Sequence, residues 1–108
     1  MTNRQQRIIA VDYDGTLFWQ GQINLGLVRA LKKEQARKNI VILWTCREGA
    51  SLRQALADLH SAGFTPNYVN MNCPLGIKLM GHDSRKIFAD MYIDDKNSSA
   101  MNLPRNLG

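Results

Sequence analysis

The sequence predicts an α/β domain with a central, mainly parallel sheet. Three short apolar runs each stop at polar residues, and amphipathic stretches separate them. The first run, Arg7-Ile8-Ile9-Ala10-Val11, stops at Asp12-Tyr13-Asp14-Gly15-Thr16, the pattern of a buried strand that opens into a loop. From Asn24 to Lys38, Leu27, Val28, Leu31 and Ala36 fall near helical spacing. Asn24 is the expected N-cap, and Arg37 and Lys38 are suitable cations for the far end. Ile40 to Trp44 is the second apolar run and stops at Thr45-Cys46-Arg47-Glu48. One crossover helix between two such strands makes a right-handed βαβ unit.

Leu52, Leu56 and Leu59 predict a second amphipathic helix between Gly49 and the stop signal Gly63. Tyr68-Val69 reads as a short third strand. The segment from Asn70 to Arg85 has no clear period and carries Pro74, Gly76 and Gly81, so a loop or a short irregular helix is expected. Met91-Tyr92-Ile93 supplies the last strand and stops at Asp94-Asp95, and residues 97–108 form a polar tail. Phe18, Trp19 and Ile23 around Gly21 read equally as a flap over the strand ends or as core packing.

With 108 residues, the chain is expected to be one domain, 1–108, with one core and one site. Hydrophobic residues at 44% and charged residues at 21% exclude a disordered or fibrous chain. No apolar stretch approaches the roughly 20 residues that span a bilayer, so a cytoplasmic protein with no membrane partner is expected. Cys46 and Cys73 lack zinc or disulfide spacing and are read as reduced thiols. His60 and His82 have no partner at ligand spacing. The net charge of +5 favours anionic ligands, and both small phosphates and nucleic acid remain open. The cations Arg29, Lys32, Lys33, Arg37 and Lys38 are read as a solvated helix face, with a nucleic-acid surface as the alternative.

In an open parallel sheet, ligands bind outside the carboxyl ends of the strands. Asp12 and Asp14, Thr45, and Asp94 and Asp95 all stand at such ends, so residues far apart in sequence meet at one edge. Aspartates gathered there repel one another and need a bound cation or protonation to coexist. Mg²⁺ meets that need, because it takes oxygen ligands and keeps room for water and phosphate oxygens.

The string Asp12-Tyr13-Asp14-Gly15-Thr16-Leu17 resembles the nucleophile motif of the haloacid dehalogenase superfamily of phosphatases. Such a string arises by chance in a chain of this length roughly once in several thousand. Thr45 after its apolar run resembles that family's phosphate-binding residue, and Lys86 resembles its charge-balancing lysine. Asp94-Asp95 resembles its acidic metal motif, so the resemblance runs from Ile8 to Asp95. It implies a Rossmann-like three-layer sandwich. It also implies a phosphomonoester hydrolase in which Asp12 is the nucleophile, Asp14 the general acid and base, and Thr45 and Lys86 bind the phosphoryl group. In this reading Asp12, Asp14, Asp94 and Asp95 form the metal site for Mg²⁺. Lys78 competes with Lys86 for the lysine role, since both lie in or beside the irregular segment. Arg47 is read as solvated or paired with Glu48 and stays outside the site.

Core elements fill the intervals from Leu17 to Thr45 and from Thr45 to Lys86, where members of that family carry a cap. A capless, open site follows, suited to bulky phosphorylated substrates or to a lid from a second subunit, and the oligomeric state stays open. The alternatives are a receiver-like phospho-acceptor and a non-catalytic module that binds phosphate or nucleic acid. A receiver has its acidic pair on the first strand, whereas here the adjacent pair comes last.

Overall fold

The computed structural model of the chain describes residues 5–94, so Asp95 and the tail 97–108 lie outside the described residues. Their elements are β1 (Ile8–Asp12), β2 (Phe18–Trp19), β3 (Gln22–Ile23), α1 (Leu25–Ala36), β4 (Ile40–Trp44), α2 (Gly49–Ser61), β5 (Tyr68–Val69), α3 (Pro74–Met80) and β6 (Met91–Ile93). The expected α/β architecture is present: a four-stranded, wholly parallel sheet in the order β5-β4-β1-β6.

The two central strands, β1 and β4, are covered on both faces, which is why their runs are continuous rather than alternating in hydrophobicity. Ile9, Val11, Val41, Leu43 and Ile93 project to one side, where Leu27, Val28 and Leu31 of α1 and Ala55 and Leu59 of α2 pack on them. Ile8, Ala10 and Ile42 project to the other, against Cys73 and Leu75 at α3 and Ala89 before β6. Three layers result. Burying one such aliphatic side chain contributes about 1.5–3 kcal/mol, so these two clusters supply most of the driving force.

Local signals set the helix boundaries. Asn24 caps α1: its Oδ1 accepts from the Leu27 N–H at 3.1 Å, as the sequence suggested. Asn24→Ala should lower stability by about 1 kcal/mol, read from urea unfolding. The irregular segment resolves into its helical alternative. Pro74 stands in the first turn of α3, where a missing N–H is harmless, the Cys73 Sγ accepts from the Gly76 N–H, and left-handed Gly81 ends the helix.

The aromatic segment after β1 forms a small antiparallel hairpin, β2–β3. Gln20 and Gly21 have φ of 50° and 78°, the mirror-image turn that matches strand twist and that Gly21 adopts without strain. Phe18 and Ile23 pack on the core, the second of the two expected roles, while Trp19 is 58% exposed.

From β1 the chain builds outward through β4 to β5, then returns to add β6 on the other side of β1. The carboxyl end of β1 is therefore where the winding reverses, and a crevice opens there. Asp12 occupies that position.

Candidate active site

Register places the candidate carboxylates. Asp12 pairs with Trp44 on one side, and on the other Val11 pairs with Ile93, so continuing by one residue sets Asp94 beside Asp12. Neighbouring strands lie about 4.8 Å apart. Asp12, Trp44 and Asp94 also share the sheet face of Ile8, Ala10 and Ile42, because side chains alternate along a strand. The Tyr13 N–H donates to Asp12 Oδ1 at 2.8 Å and orients that carboxylate.

On this face lies a cleft of about 460 Å³ lined by Trp44, Arg85, Lys86, Ile87, Tyr92 and Asp94. Lys86, the favoured lysine, is in the lining; Lys78, on α3, is not. The segment that carries Lys86 is held from both ends. Buried Asn72 accepts the Phe88 N–H on its Oδ1 at 2.7 Å, and its Nδ2 donates to Asp83 Oδ1 and the Ser84 carbonyl. The Tyr92 hydroxyl donates to the Ile87 carbonyl at 2.6 Å and accepts the Ala89 N–H at 3.1 Å.

Thr45 follows Trp44 directly, so it stands one residue beyond Asp12 at the crevice. Its N–H donates to Asn70 Oδ1 at 2.7 Å, and its hydroxyl accepts the Arg47 N–H at 3.1 Å. Asn70 has a positive φ of 54°, a conformation that asparagine tolerates better than most residues, and its N–H is tied to the Leu43 carbonyl. The loop after β4 is thus shaped by a side chain from the end of β5.

Asp14 is placed differently from the other candidates. Gly15, at φ 83°, turns the chain sharply after it, with Gly15 N–H donating to the Phe18 carbonyl and Thr16 N–H to the Tyr13 carbonyl. Thr16 thus closes this turn through its backbone N–H. The Asp14 carboxylate accepts a two-pronged contact from Arg47, Nε to Oδ2 at 2.9 Å and Nη2 to Oδ1 at 2.7 Å. The guanidinium lies over the ring of Tyr13, 4.8 Å from its centroid, and 5.3 Å from that of Phe18; the two rings stack on each other. Arg47 hydrogen bonding holds the Asp14 carboxyl below the ordinary aspartate range, partial burial opposing it, and the same contact raises Arg47. Burial, then the charge of Asp58 on α2, pushes the Tyr13 phenol up.

Arg47 thus belongs to the site, and its partner is Asp14 rather than Glu48. Sequence reasoning passed over it because an arginine beside a strand end has no spacing that reveals a partner on another loop. Asn70 and Asn72 were missed for the same reason: each acts through backbone groups distant in sequence, and Asn70-Met71-Asn72 reads only as loop.

The donor chemistry suits a hard cation in part. Among the described residues no three or more His, Cys, Asp or Glu side chains gather as a metal group. Mg²⁺, however, is commonly held by one or two carboxylates plus phosphate oxygens and water, which Asp12 and Asp94 satisfy. Of the expected metal ligands, Asp14 has its carboxylate engaged by Arg47. Asp95, the remaining expected ligand, lies outside the described residues. Cys46 and Cys73 are free thiols, and no helix among the described residues is long and apolar enough to cross a membrane.

No family model matches the chain, and no curated protein does. A solved structure of a conserved protein from Bacteroides thetaiotaomicron is similar to it, with 34% identity and a TM-score of 0.72, covering 92% of this chain and 82% of that one.

Proposed function

We propose that this chain, which belongs to the same family as the conserved Bacteroides thetaiotaomicron protein, is a capless, Mg²⁺-dependent phosphomonoester hydrolase of haloacid dehalogenase type. The observation that carries the reading is the position of Asp12. It ends the strand where the winding reverses, has Asp94 as its lateral neighbour, and stands at the head of a six-residue string that resembles a known nucleophile motif.

In this mechanism an Asp12 oxygen attacks phosphorus in line, and the bond to the ester oxygen breaks as the aspartyl-phosphate forms. The leaving oxygen takes a proton from Asp14; Asp14 then removes a proton from the water that cleaves the acyl phosphate, restoring Asp12 and releasing phosphate. Thr45 and its neighbouring N–H groups bind the phosphoryl oxygens, and Lys86 offsets their charge. Mg²⁺, held by Asp12, Asp94 and Asp95 with the Asp14 carbonyl, would lower the repulsion between the phosphate and the carboxylates. While Arg47 grips it, Asp14 is an ionised carboxylate unable to give a proton. Transfer of the guanidinium to the incoming phosphate, a good bidentate acceptor, frees Asp14 to take up a proton from solvent or from the substrate monoanion, and that proton is the one it then gives to the leaving oxygen. Two free thiols and the absence of a membrane-crossing helix among the described residues fit a cytoplasmic setting.

An aryl phosphate assay tests the reading. Phosphate release should require Mg²⁺ and stop on chelation. Lys86→Ala should lower kcat by roughly a hundredfold or more, with Lys78→Ala close to wild type. A receiver-like or purely binding module would release no phosphate under any of these conditions.

A further inference from the structure

We propose that the cleft beside Asp12 binds a phosphorylated nucleoside, its base against the rings of Trp44 and Tyr92 and its phosphate toward Arg85 and Lys86. The proposal rests on the phosphomonoester reading for the placement of the phosphate, and it adds the substrate class.

Four features of the cleft converge on this ligand. First, its volume of about 460 Å³ lies within the range of small-molecule sites, ample for one nucleoside. Second, its walls are largely planar and apolar: Trp44, Tyr92 and Ile87 contribute surface to which a base, but not a bare sugar, is complementary. Third, the Tyr92 ring is immobilised although 37% exposed, because its hydroxyl is bonded to the Ile87 carbonyl and the Ala89 N–H. An exposed aromatic ring already fixed in place loses little entropy when a ligand stacks on it. Fourth, Arg85 and Lys86 bring two cations to the same cleft, in a chain of net charge +5. Trp44 is also the register partner of Asp12, so a base seated on the indole has its phosphate within the crevice of the nucleophile.

The chain has two tryptophans, so Trp19→Phe leaves Trp44 as the sole indole reporter. In that background, combined with Asp12→Asn to prevent turnover, AMP should quench the fluorescence saturably. Ribose 5-phosphate, measured by displacement of AMP, should bind roughly ten- to a hundredfold more weakly. Tyr92→Leu should bring AMP down to the affinity of the sugar phosphate, whereas Tyr92→Phe, which keeps the ring but loses its bonds to Ile87 and Ala89, should retain a reduced preference. A 5′-phosphorylated oligoadenylate identifies the source: tighter binding than AMP points to a strand end, weaker binding to a free mononucleotide, and both support a nucleoside site. Equal affinities for AMP and ribose 5-phosphate would overturn it. With wild-type protein, selective AMP binding without phosphate release would overturn the hydrolase reading alone. Release from AMP and ribose 5-phosphate with equal kcat/KM would overturn the nucleoside site alone.

Discussion

Asp12→Asn should lower phosphate release from an aryl phosphate by at least roughly a thousandfold, because a neutral amide cannot serve as the attacking carboxylate. The change keeps size and shape, and an amide oxygen can still accept the Tyr13 N–H that orients Asp12 Oδ1. Asp12 lies at the end of β1 rather than within either apolar cluster, so the variant should fold. The check has two parts, turnover with Mg²⁺ and urea unfolding of the same preparation. Acid-quenched wild-type protein should also carry one phosphate on the peptide that contains Asp12, as seen by mass spectrometry. A folded variant with wild-type turnover would remove Asp12 from the chemistry.

Asp14→Asn should lower kcat by roughly a hundred- to ten-thousandfold, the usual range for a lost general acid or base. The loss should be larger for an alkyl than for a nitrophenyl phosphate, since a phenolate leaves without help and an alkoxide does not. This substrate dependence separates proton transfer from a merely structural role. Stability supplies the second control, and its sign follows from the Arg47 contact. The folded-state pKa of Asp14 is lowered, so its contribution to stability is present above the ordinary aspartate value of about 4 and is lost as the pH falls through the lowered one. The Asp14 side chain is 55% exposed, and solvent-screened pairs contribute little. The thermal midpoint of Asp14→Asn at neutral pH should therefore stay near wild type, and the difference between the two proteins should shrink further in acid.

The parallel sheet was legible because a strand buried on both faces must be apolar at every position, which Ile8 to Val11 and Ile40 to Trp44 display without any tertiary information. The first helix was legible from Asn24, whose capping bond is local. α3 was only half legible: seven residues with Gly76 among them carry too few positions to establish a period, and its limits lie in Pro74 and Gly81. Asp12, Asp14, Thr45 and Asp94 were legible as candidates because the ends of strands in a parallel sheet must share one edge.

Asp12, then, is a residue that the sequence by itself singled out, through a local motif placed at a strand end. What only the tertiary structure decided is its surroundings. The pairing of Arg47 with Asp14 joins two loops, Lys86 lines the cleft on a loop that Asn72 and Tyr92 tether, and Asn70 shapes the loop of Thr45 from a different strand. Motifs and caps are made by residues a few positions apart, whose geometry the chain itself imposes. Partners brought together by strand order and register leave no periodic trace in the sequence.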